Sequence, residues 1–106
     1  MREQEMLPLS EASAYILLAL AEENHGYAIM QMTEDASRGR VGIGPGTLYG
    51  ALATMEEQGL IEQTRIEGRR KYYRRREAGS RLLAGQAERY RRFLELFDAE
   101  SARGKG

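Results

Sequence analysis

Residues 44–76 read GPGTLYGALATMEEQGLIEQTRIEGRRKYYRRR, and the fold turns on how that stretch divides. Gly44-Pro45-Gly46 breaks the chain and then permits a helix, because a proline in a first turn lacks only an N–H that has no partner there. Leu48, Leu52 and Met55 recur at helical spacing with Ala51 beside them, which predicts a helix from Pro45 or Gly46 to Gln58. Gly59 stands where such a helix wants a left-handed residue. Beyond it the period changes. Ile61 to Ile66 reads as a strand, Glu67-Gly68 as a hairpin turn, and Arg69 to Arg75 as the return strand. Tyr72 and Tyr73 suit a pleated surface. A two-stranded hairpin is marginal alone, so it must pack on helices.

Working outward, Ser10 is a plausible N-cap for a helix from Glu11 to about Glu23. Its apolar face is expected to hold Ala14, Tyr15, Leu17, Leu18 and Ala21. Asn24-His25-Gly26 is a stop and turn signal. A second helix is expected from Tyr27 to Ala36, with Ile29, Met32 and Ala36 inward, and Arg38-Gly39-Arg40 ends it. Val41-Gly42-Ile43 suits a short extended piece. After the hairpin, a last helix is expected from about Ala78 to Ala102, with fraying from Ser101 onward. Leu83, Ala87, Tyr90, Leu94 and Phe97 form a heptad seam along it, Phe93 widens the seam, and Glu88 is placed to meet Arg92 at i, i+4. Three helices, a hairpin and a helix describe a mainly α fold with a small β-hairpin. The order predicts a winged helix-turn-helix over residues 8–76, and the last helix, over 77–102, is expected to serve as a C-terminal dimerisation helix.

Composition narrows the function. The chain has 106 residues, no Cys and one His. Disulfide scaffolds, thiolate metal sites and multi-histidine centres are therefore excluded. No nucleophile elbow or phosphate loop assembles, so neither an enzyme nor a cofactor is expected. The longest apolar run, Tyr15–Ala21, is too short to span a membrane, and Met-Arg-Glu-Gln-Glu lacks a signal peptide's layout. A cytoplasmic chain is expected. Its 16 basic and 16 acidic side chains cancel, but they are not mixed. Residues 1–63 carry three basic and ten acidic groups, and residues 64–106 thirteen basic and six acidic, balances of −7 and +7. Such asymmetry suggests a partner for the basic half.

On the helix after Gly44 the face opposite Leu48, Leu52 and Met55 carries Gly46, Gly50, Ala53 and Glu57. Tyr49 lies on one flank, and Thr47 and Thr54 on the other. A small, hydroxyl-bearing surface can enter a major groove and bond base edges or phosphates. It is equally the surface of an ordinary amphipathic helix. Having no Arg or Lys, the helix must borrow positive charge from Arg38 and Arg40 before it and from Arg65, Arg69, Arg70 and Lys71 on the hairpin. Glu56 and Glu57 fall at its far end, where they need not meet phosphate. The bland reading of the basic hairpin is a charged edge that resists aggregation. Its position after a possible recognition helix favours double-stranded DNA.

The chain resembles the PadR family of winged-helix transcriptional regulators. The matching segments are Pro8-Leu9-Ser10 leading to Ile16-Leu17-Leu18-Ala19-Leu20, His25-Gly26-Tyr27-Ala28-Ile29-Met30, Gly44 to Leu52, Glu56 to Ile61, and Gly68-Arg69-Arg70-Lys71-Tyr72-Tyr73. The resemblance implies a homodimer that binds a palindromic operator, usually represses, and in some members answers to aromatic or drug-like ligands. It also implies a C-terminal helix packed on the partner's first and last helices. Two departures stand out. Arg75-Arg76 precede Glu77-Ala78-Gly79 where the family commonly has Leu-Thr, and Thr54 replaces a frequent basic residue.

The expected DNA contacts are therefore Arg38, Arg40, Thr47, Tyr49, Gly50, Thr54, Arg65, Arg69, Arg70, Lys71 and Tyr73. Tyr27 and Tyr72 are expected in the core, and Tyr73 on the opposite face from Tyr72. The expected dimer contacts are Tyr15, Leu18, Leu83, Ala87, Tyr90, Leu94 and Phe97. Tyr15, Tyr90, Phe93 and Phe97 are candidates to line a pocket for a small aromatic effector, although such a stripe also serves as plain dimer core. The rival class is a winged helix whose basic wing grips an acidic protein.

Overall fold

A computed structural model describes residues 5–104. Its elements are α1 (Glu11–Ala19), β1 (Asn24–His25), α2 (Gly26–Ala36), α3 (Pro45–Glu57), β2 (Ile61–Glu67), β3 (Arg70–Arg75) and α4 (Glu77–Gly104). The strands form one antiparallel sheet in the order β1-β3-β2. Among the described residues these four helices, with a small sheet behind the third, make a winged helix-turn-helix.

Local chemistry sets the helix ends. The Ser10 hydroxyl accepts the Ser13 amide at 3.0 Å and caps α1. The helix stops at Ala19, short of Glu23; the Leu20 amide donates to the Leu17 carbonyl at 3.2 Å and the Ala21 amide to that of Leu18 at 3.3 Å. The residues after it enter β1, which pairs Asn24 with Tyr73 and His25 with Tyr72. Asn24-His25-Gly26, expected as a stop and turn, is thus a strand followed directly by α2, and the turn lies before it at residues 20–22. Val41–Ile43 forms no strand; its job is to bury Val41 and Ile43 ahead of α3.

The core gathers Ile16, Leu17, Leu20, Ile29, Leu48, Leu52, Met55, Leu60, Ile61, Tyr73 and Leu82. On α1 the buried line is Ala14, Ile16, Leu17 and Ala19, while Leu18 is 54% exposed and Ala21 is also outside. That helix is apolar almost all round, so the sequence pattern does not fix which side faces in. On α2, Gly26, Ile29 and Thr33 are buried and Met32 and Ala36 are exposed, a rotation from the expected stripe.

Gly79 lets α4 cross the start of β2. A Cβ there would collide with the Leu60 carbonyl oxygen and come within 2.9 Å of the Arg75 side chain. The N-terminal segment is pinned to the same helix by the Leu9 amide, which donates to Gln86 Oε1 at 2.6 Å. Only Gly79, Leu82 and Gln86 of α4 are buried. Past Ala87 the helix leaves the body, and its pairs are local: Arg91 meets Glu88 at 2.6 Å and Arg92 meets Glu95 at 3.3 Å, so Glu88 takes Arg91 and not Arg92. This projection raises the radius of gyration to 15.7 Å, against about 13 Å for a compact 100-residue domain. It continues helical through Gly104, beyond the expected end at Ala102.

Candidate nucleic-acid interface

Leu48, Leu52 and Met55 anchor α3 in the core, which leaves Thr47, Gly50, Ala53, Thr54 and Glu57 exposed. Tyr49 stands on the flank toward α2, half exposed, with its ring atom Cζ 2.8 Å from where a Gly26 Cβ would be. Gly26 therefore has no room for a side chain, and Tyr49 braces the start of α2 against α3. Gly50 and Thr54 turn the other way, into a groove shared with Met6, Pro8 and Leu9.

Between α3 and the wing lies a cleft of about 350 Å³ lined by Tyr49, Ala53, Glu56, Arg69, Lys71 and Tyr73. Two expectations change here. Tyr73 is only 6% exposed and belongs to the core, so its ring is not a free DNA contact. Burial, helped by the charge of Glu56 and by Tyr49, pushes its hydroxyl above the usual tyrosine range. Glu56 is not remote from the basic wing but shares this cleft with Arg69 and Lys71. Tyr27 is 65% exposed and outside the core. Tyr72 is half-buried on the sheet's other side, with the His25 ring 5.2 Å away, edge-on. Two adjacent tyrosines leave the phase of an alternating strand undetermined, and the core took Tyr73.

The basic residues of the hairpin separate into two groups. Arg69, Arg70 and Lys71 sit at the tip, exposed, and make no ion pair among the described residues. At the root the three strand arginines, Arg65, Arg74 and Arg75, are engaged. Arg74 pairs across the strands with Glu62 at 3.2 Å. Arg75 donates to the Leu17 carbonyl at 2.9 Å and to Ser80 Oγ at 2.8 Å. Arg65, expected on DNA, is held by Glu23 at 3.0 Å and Glu67 at 2.6 Å, over the Tyr72 ring at 3.8 Å. Its charge is already neutralised, and it leaves the list of free cations. Arg38 and Arg40 are exposed on the turn into α3, where Arg38 adopts a left-handed φ of 57°.

A second feature lies on the opposite side. Tyr15, Leu18, Leu83, Ala87 and Tyr90, all expected at a dimer interface, line one open groove of about 430 Å³ with Glu11 and Ala14. Leu94 and Phe97 lie farther along α4, more than half exposed. Phe93, 70% exposed, and Phe97 do not line that groove, so the four aromatics of the expected effector pocket are not gathered within one chain. No cluster of metal-ligating side chains occurs among the described residues, and no helix there is long and apolar enough to cross a membrane.

A three-helix core with a recognition helix exposed beside a basic wing defines a winged helix-turn-helix protein. Residues 5–85 match the transcriptional regulator PadR-like family, and the chain belongs to that family. It is 39% identical over 79 residues to a 37.1 kDa protein in transposon TN4556 of Streptomyces fradiae, a match covering 74% of this chain and 22% of that one. The chain thus spans about a fifth of that relative. Among solved structures it resembles a PadR family transcription regulator from Clostridium difficile, at 23% identity and a TM-score of 0.72 over 85% of this chain and 97% of that one. It also resembles one from Eggerthella lenta, at 26% identity and a TM-score of 0.65 over 89% and 76%. A transcriptional regulator from Clostridium thermocellum superposes at 23% identity and a TM-score of 0.70 over 84% and 90%. The family is one of transcriptional regulators and not of enzymes.

Proposed function

We propose that the chain binds double-stranded DNA as a cytoplasmic homodimer and represses transcription from a palindromic operator. Residues 8–76 read the DNA, and residues 77–102 join the two copies. The observation that carries this reading is the wing tip. Arg69, Arg70 and Lys71 stand without an ion-pair partner among the described residues at the end of a hairpin, across a cleft from Tyr49, Ala53 and Glu56 of α3. In this reading Thr47 and Tyr49 meet DNA from the exposed side of α3, Gly50 and Thr54 from the groove at its edge, and Arg38 and Arg40 flank them. The test is binding to the DNA upstream of the chain's own coding sequence across a salt series. Changing all three tip cations to Ala is expected to weaken binding at least about a hundredfold and to flatten the salt slope. Unchanged binding and slope refute the reading.

The dimer rests on α4. Its seam runs past the body and leaves Tyr90, Leu94 and Phe97 about half exposed, with Phe93 more exposed beside them, an apolar surface larger than scattered single residues make. Leu94→Asp is expected to give a monomer by sedimentation, and a wild type that is monomeric at micromolar concentration refutes the dimer. The effector reading rests on the groove at Tyr15 and Tyr90, whose volume lies within the range of small-molecule sites. In a dimer, Phe93 and Phe97 of the second copy complete it. A panel of planar aromatics is expected to change tyrosine fluorescence and release DNA; no response from any member ends that reading.

A further inference from the structure

The wing is fastened to the body by a carboxylate that belongs to neither. Glu23 lies between α1 and β1, and both of its oxygens are used: Oε2 accepts from Thr64 Oγ1, and Oε1 accepts from Arg65 Nε at 3.0 Å. Thr64 and Arg65 are consecutive strand residues, and on a regular strand their side chains point to opposite faces. The register supplies the reason they do not. Gln63 pairs with Tyr73 and Arg65 with Tyr72, so Thr64 is an extra residue in β2, a bulge. A bulge re-aims side chains, and here it turns two neighbours onto one carboxylate. The guanidinium is then fixed on its remaining sides, by Glu67 at 2.6 Å and by the Tyr72 ring at 3.8 Å. His25, on β1, closes the far edge of that ring.

We infer that Glu23, Thr64 and Arg65 form a latch that sets the angle of the wing, with Arg65 a positioning residue and not a phosphate contact. The inference rests on the DNA-binding reading above. A latch and a phosphate contact make opposite demands. A contact needs a free cation, and any cation supplies it. A latch needs a planar fork that donates to two carboxylates while lying on a ring, which lysine cannot reproduce.

The test uses the full chain and its upstream DNA, with each variant first shown by circular dichroism to be folded. Removing the Glu23 charge alone should tighten binding to a polyanion. The latch predicts the reverse: Glu23→Ala weakens binding about three- to tenfold with the salt slope unchanged, the scale of a small exposed ion-pair network with a cation–π contact. Arg65→Lys and Arg65→Met are expected to weaken it equally, and Glu23→Ala/Arg65→Met no more than either change alone. Amide exchange in Glu62–Glu67 is expected to quicken in Glu23→Ala while that of α3 does not change, a readout independent of DNA. Tighter binding by Glu23→Ala, or a flatter slope in Arg65→Met restored by Arg65→Lys, overturns the latch and makes Arg65 a phosphate contact. If wild type fails to bind DNA while wing exchange still quickens in Glu23→Ala, the DNA reading fails and the latch remains as architecture; unchanged exchange overturns it.

Discussion

The root and the tip of the wing have nearly the same composition and opposite fates. At the root Arg65, Arg74 and Arg75 spend their donors on Glu23, Glu67, Glu62, Ser80 and the Leu17 carbonyl. At the tip Arg69, Arg70 and Lys71 have no ion-pair partner among the described residues. The difference teaches that a count of basic residues overstates what is offered to a polyanion. Acceptors within reach decide which charges are free, and two of them, Glu23 and the Leu17 carbonyl, come from segments distant in sequence.

The largest expected effect tests the tip. Replacing Arg69, Arg70 and Lys71 by Ala is expected to cost at least about a hundredfold in DNA affinity and to lower the salt slope by about three per protomer, since each phosphate contact contributes about 0.9. Equal loss from replacing the three root arginines, measured by fluorescence anisotropy, breaks the distinction.

Next comes Arg75. Its guanidinium joins α1, β3 and the start of α4, and Arg75→Met is expected to lower unfolding free energy by about 1–3 kcal/mol, the usual cost of losing charge-assisted, partly buried hydrogen bonds. Urea denaturation measures it, and the salt slope of DNA binding is expected to stay as in wild type. A smaller change belongs to Glu56, the carboxylate in the cleft with Arg69 and Lys71. Glu56→Gln is expected to tighten binding by about two- to fivefold, more at low salt, because a like charge is removed from beside the bound backbone. The smallest is Arg74→Ala. An exposed cross-strand pair contributes at most about 1 kcal/mol, and neither stability nor binding is expected to move beyond that.

The root also carries a pH dependence. His25 is held below its ordinary range by burial and by the charge of Arg70. Glu23 is held below its own by the hydrogen bonds of Thr64 and Arg65. In both cases the unfolded chain takes up the proton first as pH falls. Stability is therefore full above the ordinary imidazole value near 6.5. It declines as pH falls through the folded His25 value, and again as pH falls through the folded Glu23 value. Thermal melts from about pH 7 down to about pH 3 check the sign; a His25→Gln variant is expected to lose only the upper step.

Much of this fold was legible locally. Ser10 caps α1, Pro45 opens α3, and Leu48, Leu52 and Met55 face the core as their spacing requires. What stayed hidden depends on pairing. Asn24-His25 becomes a strand only because β3 lies alongside. The bulge at Thr64 is invisible in an even run of strand formers, and with it the reason Arg65 is engaged. Which tyrosine turns inward could not be read from Tyr72-Tyr73. On α1 and α2 a nearly all-apolar surface, or a buried Thr33, left the helix phase open. The free cations of the site were thus named in the sequence, but not separated from those that hold the wing in place.

The short strand β1 has a mechanical consequence. It pairs only with Tyr72 and Tyr73, so the sheet is three strands wide where it meets the helices and two strands wide from Lys71 outward. The wing is a cantilever, stiff at its support and compliant at its free end. Its three cations ride on the compliant part. The support fixes where the tip can be, and in the proposed DNA-binding role the tip would retain the give to follow a backbone whose path varies with sequence.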